Sequence, residues 1–246
     1  MTSNVFMRST ALALLTGMLL SLGSAQAHGI WVAQRTGEWA VVLGEGALDD
    51  AYPPQNIKQV LGQTRKGTAL PVSVRAQAHN VVFDAPSELA SVAVSFEDGY
   101  WSQGIDGKWV AGSRSQVPGA KKVGYYQMFT RTVLASDSSV VKAFGLPLEI
   151  LPLADPMQLK KGSKLRVQVL FEGKPLASKT IASDYLNAGE DHSIRTDAQG
   201  YAIITIRSSG LNVIKVAHSV RRIDISEADE DGYAATLAFA LPQTGD

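Results

Sequence analysis

The chain has 246 residues, with 23 Lys or Arg against 23 Asp or Glu, four histidines and no cysteine. That balance excludes the clustered basic surface a nucleic-acid ligand requires, and the missing cysteines exclude disulfides and thiol nucleophiles. Burial of apolar side chains has to hold the fold, and the 219 residues that follow an N-terminal leader are enough for two modest domains.

Residues 1–27 read as a cleavable export signal: Arg8, an apolar run from Ala11 to Leu22, then Ala25 and Ala27 as the small residues of a signal-peptidase site. The run is shorter than the roughly 20 residues that cross a bilayer, and no later uncharged segment reaches that length. The expected product is a soluble periplasmic protein that begins at His28 and has no membrane span. Losing Arg8 leaves 22 basic against 23 acidic side chains, close to neutral.

Beyond the leader, period-two alternation dominates and helical periodicity is scarce, which predicts an all-β chain. Strands are expected at Ile30–Gln34, Trp39–Leu43, Pro71–Ala76, Asn80–Asp84, Ala90–Phe96 and Tyr125–Ala135. Ala51 to Gly62 reads instead as a surface connection with two prolines and one helix-like turn closed by Gly62. Asp98-Gly99 and Asp106-Gly107 suggest tight hairpin turns. The neighbouring Tyr100, Trp101 and Trp109 either cap a sandwich core or form a platform for sugar rings.

Three prolines at 147, 152 and 156 bracket a short apolar stretch, the composition of a stiff inter-domain link. The expected organisation is an N-terminal β domain over 28–146, a linker over 147–156 and a C-terminal β-sandwich over 157–246. Within the last, strands at 164–171, 176–182, 193–196, 201–207, 212–219 and 233–241 are spaced as in a Greek key. The acidic run Asp224 to Gly232 lacks the ligand spacing of a calcium loop and reads as a solvated hairpin connection.

The chain resembles the domain-of-unknown-function 4198 (DUF4198) family of periplasmic proteins discussed alongside nickel and cobalt uptake systems. Carrying the likeness are Ala27-His28-Gly29-Ile30-Trp31, Leu148-Glu149-Ile150-Leu151-Pro152-Leu153-Ala154-Asp155-Pro156, Phe171-Glu172-Gly173-Lys174-Pro175, Thr196-Asp197-Ala198-Gln199-Gly200-Tyr201, the strand of His218 and the closing Tyr233 to Phe239. The resemblance implies two β-sandwich domains, the second of the prealbumin or carboxypeptidase-regulatory type. It further implies handling of a transition metal beside a membrane transporter.

His28, His79, His192 and His218 are the candidate ligands. Cleavage after Ala27 would give His28 a free α-amine next to its own imidazole, two nitrogen donors on one residue. The amine titrates near 7.7–8.0, so a cation displaces its proton at modest cost at neutral pH. Such nitrogens suit nickel and cobalt, and also copper or zinc, better than magnesium or calcium. His218 or His79 is expected to complete the site, with His192, beside Glu190 and Asp191, as a further candidate. No His-Glu-x-x-His helix, Gly-x-Ser-x-Gly elbow or phosphate-cradling loop is present, so the chain reads as a binding protein rather than an enzyme.

Overall fold

The computed structural model describes residues 28–136 and 140–241, with side chains throughout except at 188–191. The leader expected over 1–27 lies outside the described residues. In the first half of the chain the strands are Gly29–Arg35 (β1), Glu38–Gly44 (β2), Ile57–Thr64 (β3), Ala69–Leu70 (β4), Val74–Ala76 (β5), Val81–Phe83 (β6), Leu89–Gln103 (β7), Trp109–Ala111 (β8) and Lys122–Val133 (β9). The second half contributes Leu148–Pro152 (β10), Lys164–Phe171 (β11), Lys174–Pro175 (β12), Thr180–Asp184 (β13), Gly189–Arg195 (β14), Tyr201–Thr205 (β15), Leu211–Arg221 (β16) and Glu230–Ala240 (β17). A single helical turn, Tyr185–Ala188 (α1), joins β13 to β14.

These strands form an all-β sandwich of three sheets. A front sheet runs β1-β2-β6-β5, and a back sheet carries β10, β12 and β15 on β11. Between them a central sheet runs β14-β13-β16-β17-β9-β7-β3-β4, with β8 added on β7. Successive side chains on a strand point to opposite faces, so each long central strand feeds two cores. Val92, Val94, Phe96 and Met128 pack forward on Ile30, Val32, Val41 and Phe83. Ala93, Phe129, Val216 and Leu237 pack backward on Ile150, Leu165, Val167 and Val169. Each such aliphatic or aromatic side chain contributes about 1.5–3 kcal/mol when fully buried.

Several local expectations are corrected. The stretch taken as a stiff linker contains β10, a buried strand paired with β11 from Leu148↔Phe171 to Pro152↔Val167. Its prolines are tolerated because β10 is an edge strand with no second neighbour to satisfy. The chain halves on either side of it share one sheet, since β17 pairs in parallel with β9 from Glu230↔Gly124 to Phe239↔Val133. Where a helix-like turn was expected, a short 3-10 turn at Pro54–Asn56 leads directly into β3. Gly62 lies inside that strand rather than closing a helix: a Cβ there would sit 2.5 Å from the Leu70 carbonyl oxygen. Of the two Asp-Gly pairs, Asp106-Gly107 does make the β7–β8 turn, with Gly104 N–H donating to Lys108 O at 2.8 Å. Asp98-Gly99 instead makes a bulge in the middle of β7, where the register to β9 shifts between Glu97 and Gly99.

One charged pair sits deep in the back core. Arg131 Nη1 meets Glu149 Oε1 at 3.1 Å, with both side chains almost wholly buried. Glu149 also accepts the backbone N–H groups of Phe144 and Gly145, and Arg131 donates to Lys142 O.

Candidate functional site

His28 stands at the entrance to β1, on the front face of the central sheet, and its position is set by the residues that follow it. Gly29 lies on Tyr185, Thr236 and Lys215; a Cβ at this residue would come within 3.3 Å of the Tyr185 ring. The buried Thr236 hydroxyl donates to Ile30 O, and Val32 N–H donates to the Thr132 hydroxyl at 3.2 Å. Thr130 links these two threonines. A β1 edge that would otherwise present bare backbone is thereby pinned to the central sheet.

The loop after β2 brings in a carboxylate. Gly44 lets Leu48 fold back so closely that a Cβ would overlap the Leu48 carbonyl, and Gly44 O accepts the Tyr185 hydroxyl at 2.9 Å. Asp50 N–H donates to Leu43 O at 2.7 Å, and Asp49 pairs with Arg35. With the loop held at both ends, Asp50 Oδ2 lies 3.4 Å from His28 Nε2, each side chain about two-fifths exposed.

A second carboxylate arrives from the bulge in β7. Burial pushes the Asp98 carboxyl above its ordinary range, while the His28 charge and the Trp101 indole pull it the other way. The Trp101 Nε1 is buried next to this carboxyl. Next to Asp98 lies an aromatic floor. Trp101 pairs with Gly124, and Gly99 with Tyr126, so Trp101 and Tyr126 share the front face. The Tyr126 ring lies down over Gly124 and Gly232, where a Cβ would come within 2.4 Å and 2.3 Å of it. Trp109 meets that ring edge-on at 6.4 Å. Burial, reinforced by Glu230 and Asp98, holds the Tyr126 hydroxyl far above its usual pKa. Glu230 in turn pairs with Lys122 at 2.9 Å.

The sequence-predicted histidines do not gather around His28. His218 is three residues beyond Lys215 on β16 and so faces the back of the central sheet, where its ring packs edge-on against Phe171 at 4.6 Å. Burial and the nearby Lys179 lower its pKa. His192 is exposed on β14, the outermost strand of the central sheet, and its carbonyl accepts the Ser183 hydroxyl. His79 is exposed at the β5–β6 turn, and its carbonyl accepts Tyr52 N–H at 2.9 Å. It lines a cleft together with Asp49 and Asp50. Among the described residues, no group of three or more His, Asp or Glu is gathered tightly enough to hold an ion by itself.

The single platform of Tyr100, Trp101 and Trp109 does not form either. Tyr100 follows the opposite face of β7 from Trp101, packs at a tilt against Tyr125 at 4.8 Å and lies under the Arg222 guanidinium. Sequence reasoning missed Asp50 and Asp98, because an Asp before a loop or before Gly reads first as a turn former. The acidic run is likewise more ordered than a solvated loop: Asp229 takes Arg114 and Val123 N–H, and Asp231 takes Arg222.

The family described as Domain of unknown function (DUF4198) matches residues 25–220. The chain belongs to that family. The DUF4198 match takes in His28, Asp50, Asp98 and Trp101 and stops before β17, which supplies Glu230 and Thr236. An uncharacterized protein of Haemophilus influenzae (strain ATCC 51907 / DSM 11121 / KW20 / Rd) is 26% identical over 160 residues, covering 64% of this chain and 68% of its own. No solved structure matches this DUF4198 chain. No helix among the described residues is long and apolar enough to cross a membrane.

Proposed function

We propose that this DUF4198 protein is cut after Ala27 in the periplasm and binds a divalent transition ion at the new terminus, as an accessory component of nickel or cobalt uptake beside a membrane transporter. Copper and zinc fit the same donors. The observation that carries the reading is the setting of His28: its imidazole lies 3.4 Å from the Asp50 carboxylate and within electrostatic reach of Asp98. The α-amine and imidazole of His28 would supply two nitrogens and Asp50 an oxygen, a mixed set that suits borderline divalent metals. The carboxylates take the part that the sequence had assigned to distant histidines. Metal-ligating side chains commonly depend on neighbouring hydrogen-bonding partners to orient them, and here the threonine anchoring of β1 would do so.

The test is calorimetric titration of nickel(II) and cobalt(II) into protein beginning at His28 and into the same protein with one extra residue before it. The account expects affinity to fall at least tenfold, about 1.4 kcal/mol, in the extended form, because its α-nitrogen is then an amide. Equal affinity in both forms would remove the terminal amine from the site.

A further inference from the structure

We infer that the outer edge of β1 is a docking site for an extended peptide segment of a partner protein, which pairs with Gln34 through its backbone and places one apolar side chain in the cleft beside it. This is independent of the metal reading and concerns the far end of the strand that His28 leads into.

The turn after β1 sets which way its backbone groups point. Thr36 and Gly37 have φ of 51° and 87° and close a two-residue hairpin on the pair Arg35↔Glu38. Hydrogen-bonded pairs alternate from there, so Arg35 and Ala33 bond across to β2, while Gln34, Val32 and Ile30 turn their backbone groups outward. β1 is the outermost strand of the front sheet, so no strand of that sheet meets them. At Ile30 and Val32 the central sheet supplies hydroxyls instead: Ile30 O accepts from Thr236, and Val32 N–H donates to Thr132. At Gln34 this substitution stops. The Gln34 carbonyl accepts from Arg35 Nη1 at 3.1 Å and keeps a second lone pair, and among the described residues its N–H finds no acceptor.

Beside this unpaired edge lies a cleft of about 200 Å³. Val32, Ala33 and Trp39 form one wall, and Leu134, Leu211 and Ala240, from the ends of the central strands, form the other. An apolar cavity of about 150 Å³ accepts a benzene ring, so this one has room for a leucine or phenylalanine side chain. A small apolar molecule would fill the cleft and leave the edge unpaired. An anionic ligand gains little, because the Arg35 guanidinium at the rim is already engaged by Asp49. An extended chain satisfies both features, with backbone bonds to the edge and a pocket that selects the side chain.

The experiment follows the backbone amide NMR spectrum of the protein as the peptide acetyl-Ser-Thr-Leu-Thr-Ser-amide is added. Its controls are the same peptide with Gly in place of Leu, the same peptide N-methylated at its three central residues, and pentan-1-ol. The expected result is saturable displacement of the Gln34 and Leu211 signals with a Kd of about 1 mM or tighter, and at least tenfold weaker binding of every control. Gln34→Pro deletes the outward N–H without touching the pairing to β2, and proline is tolerated at such an edge position. It should weaken the peptide at least fivefold, read at Leu211. Ala240→Phe, which fills the cleft from the opposite wall, should do the same and serves if the proline variant unfolds. Absence of displacement at Gln34 and Leu211, a control that binds as tightly as the parent peptide, or affinity that survives both substitutions overturns the inference.

Discussion

His28 and His218 lie on the same central sheet and differ in what surrounds them. On the front face His28 is half-exposed beside Asp50 and near Asp98, with the backbone behind it fixed by buried threonine hydroxyls. On the back face His218 packs against Phe171 beside the Tyr233 ring and feels Lys179, surroundings that disfavour positive charge. The lesson is that a histidine becomes a ligand candidate through its neighbours rather than through its residue type. The front face is stocked with oxygen donors, while on the back face the Arg131–Glu149 pair is sealed inside the core.

The comparison can be tested from the back face first, where the largest effect is expected. Arg131→Met should leave Glu149 buried without its cation and cost about 3–5 kcal/mol, a Tm drop on the order of 10 °C by calorimetry, with nickel affinity unchanged. On the front face, Thr236→Val removes the donor to Ile30 O and should cost about 1–3 kcal/mol. Unlike the first change, it should also weaken nickel binding, because it loosens the strand that presents His28.

A smaller effect concerns pH. The folded state depresses the His218 pKa, so the neutral ring is the one that fits. Its contribution to stability is therefore complete above the unfolded value near 6.5 and is lost as pH falls through the lower folded value. Denaturant titrations at pH 7 and pH 5 should show this loss, and His218→Gln should flatten it. Smallest of all is the effect of His28→Ala on stability. An exposed pair such as His28–Asp50 is worth about 0–1 kcal/mol, so the Tm should barely move while nickel binding disappears.

Much of the layering was legible in the chain. Apolar-rich runs located β1, β2, β6, β9 and the start of β7, although burial along them is nearly continuous rather than at every second residue, because both faces of these strands meet protein. Where proline stands at the ends of a strand, the pattern misleads. Leu148 to Pro152 is buried at every position, and the prolines that suggested a linker only bound an edge strand. The site was less legible. His28 was identifiable from the expected leader cut, but Asp50 and Asp98 are placed by a folded-back loop and a strand bulge, both products of non-local packing. His218 shows the same limit: its sequence marks it as lying on a strand, but the layer it faces is decided by the register of β16 against β17 and by the Phe171 side chain.

The most direct measurement is imidazole NMR during addition of cobalt(II) to protein that begins at His28. The account predicts that the His28 ring signals are displaced or broadened by the first equivalent while those of His218 and His192 hold their positions. A first equivalent that instead perturbs His218 or His192, with His28 unmoved, would contradict it.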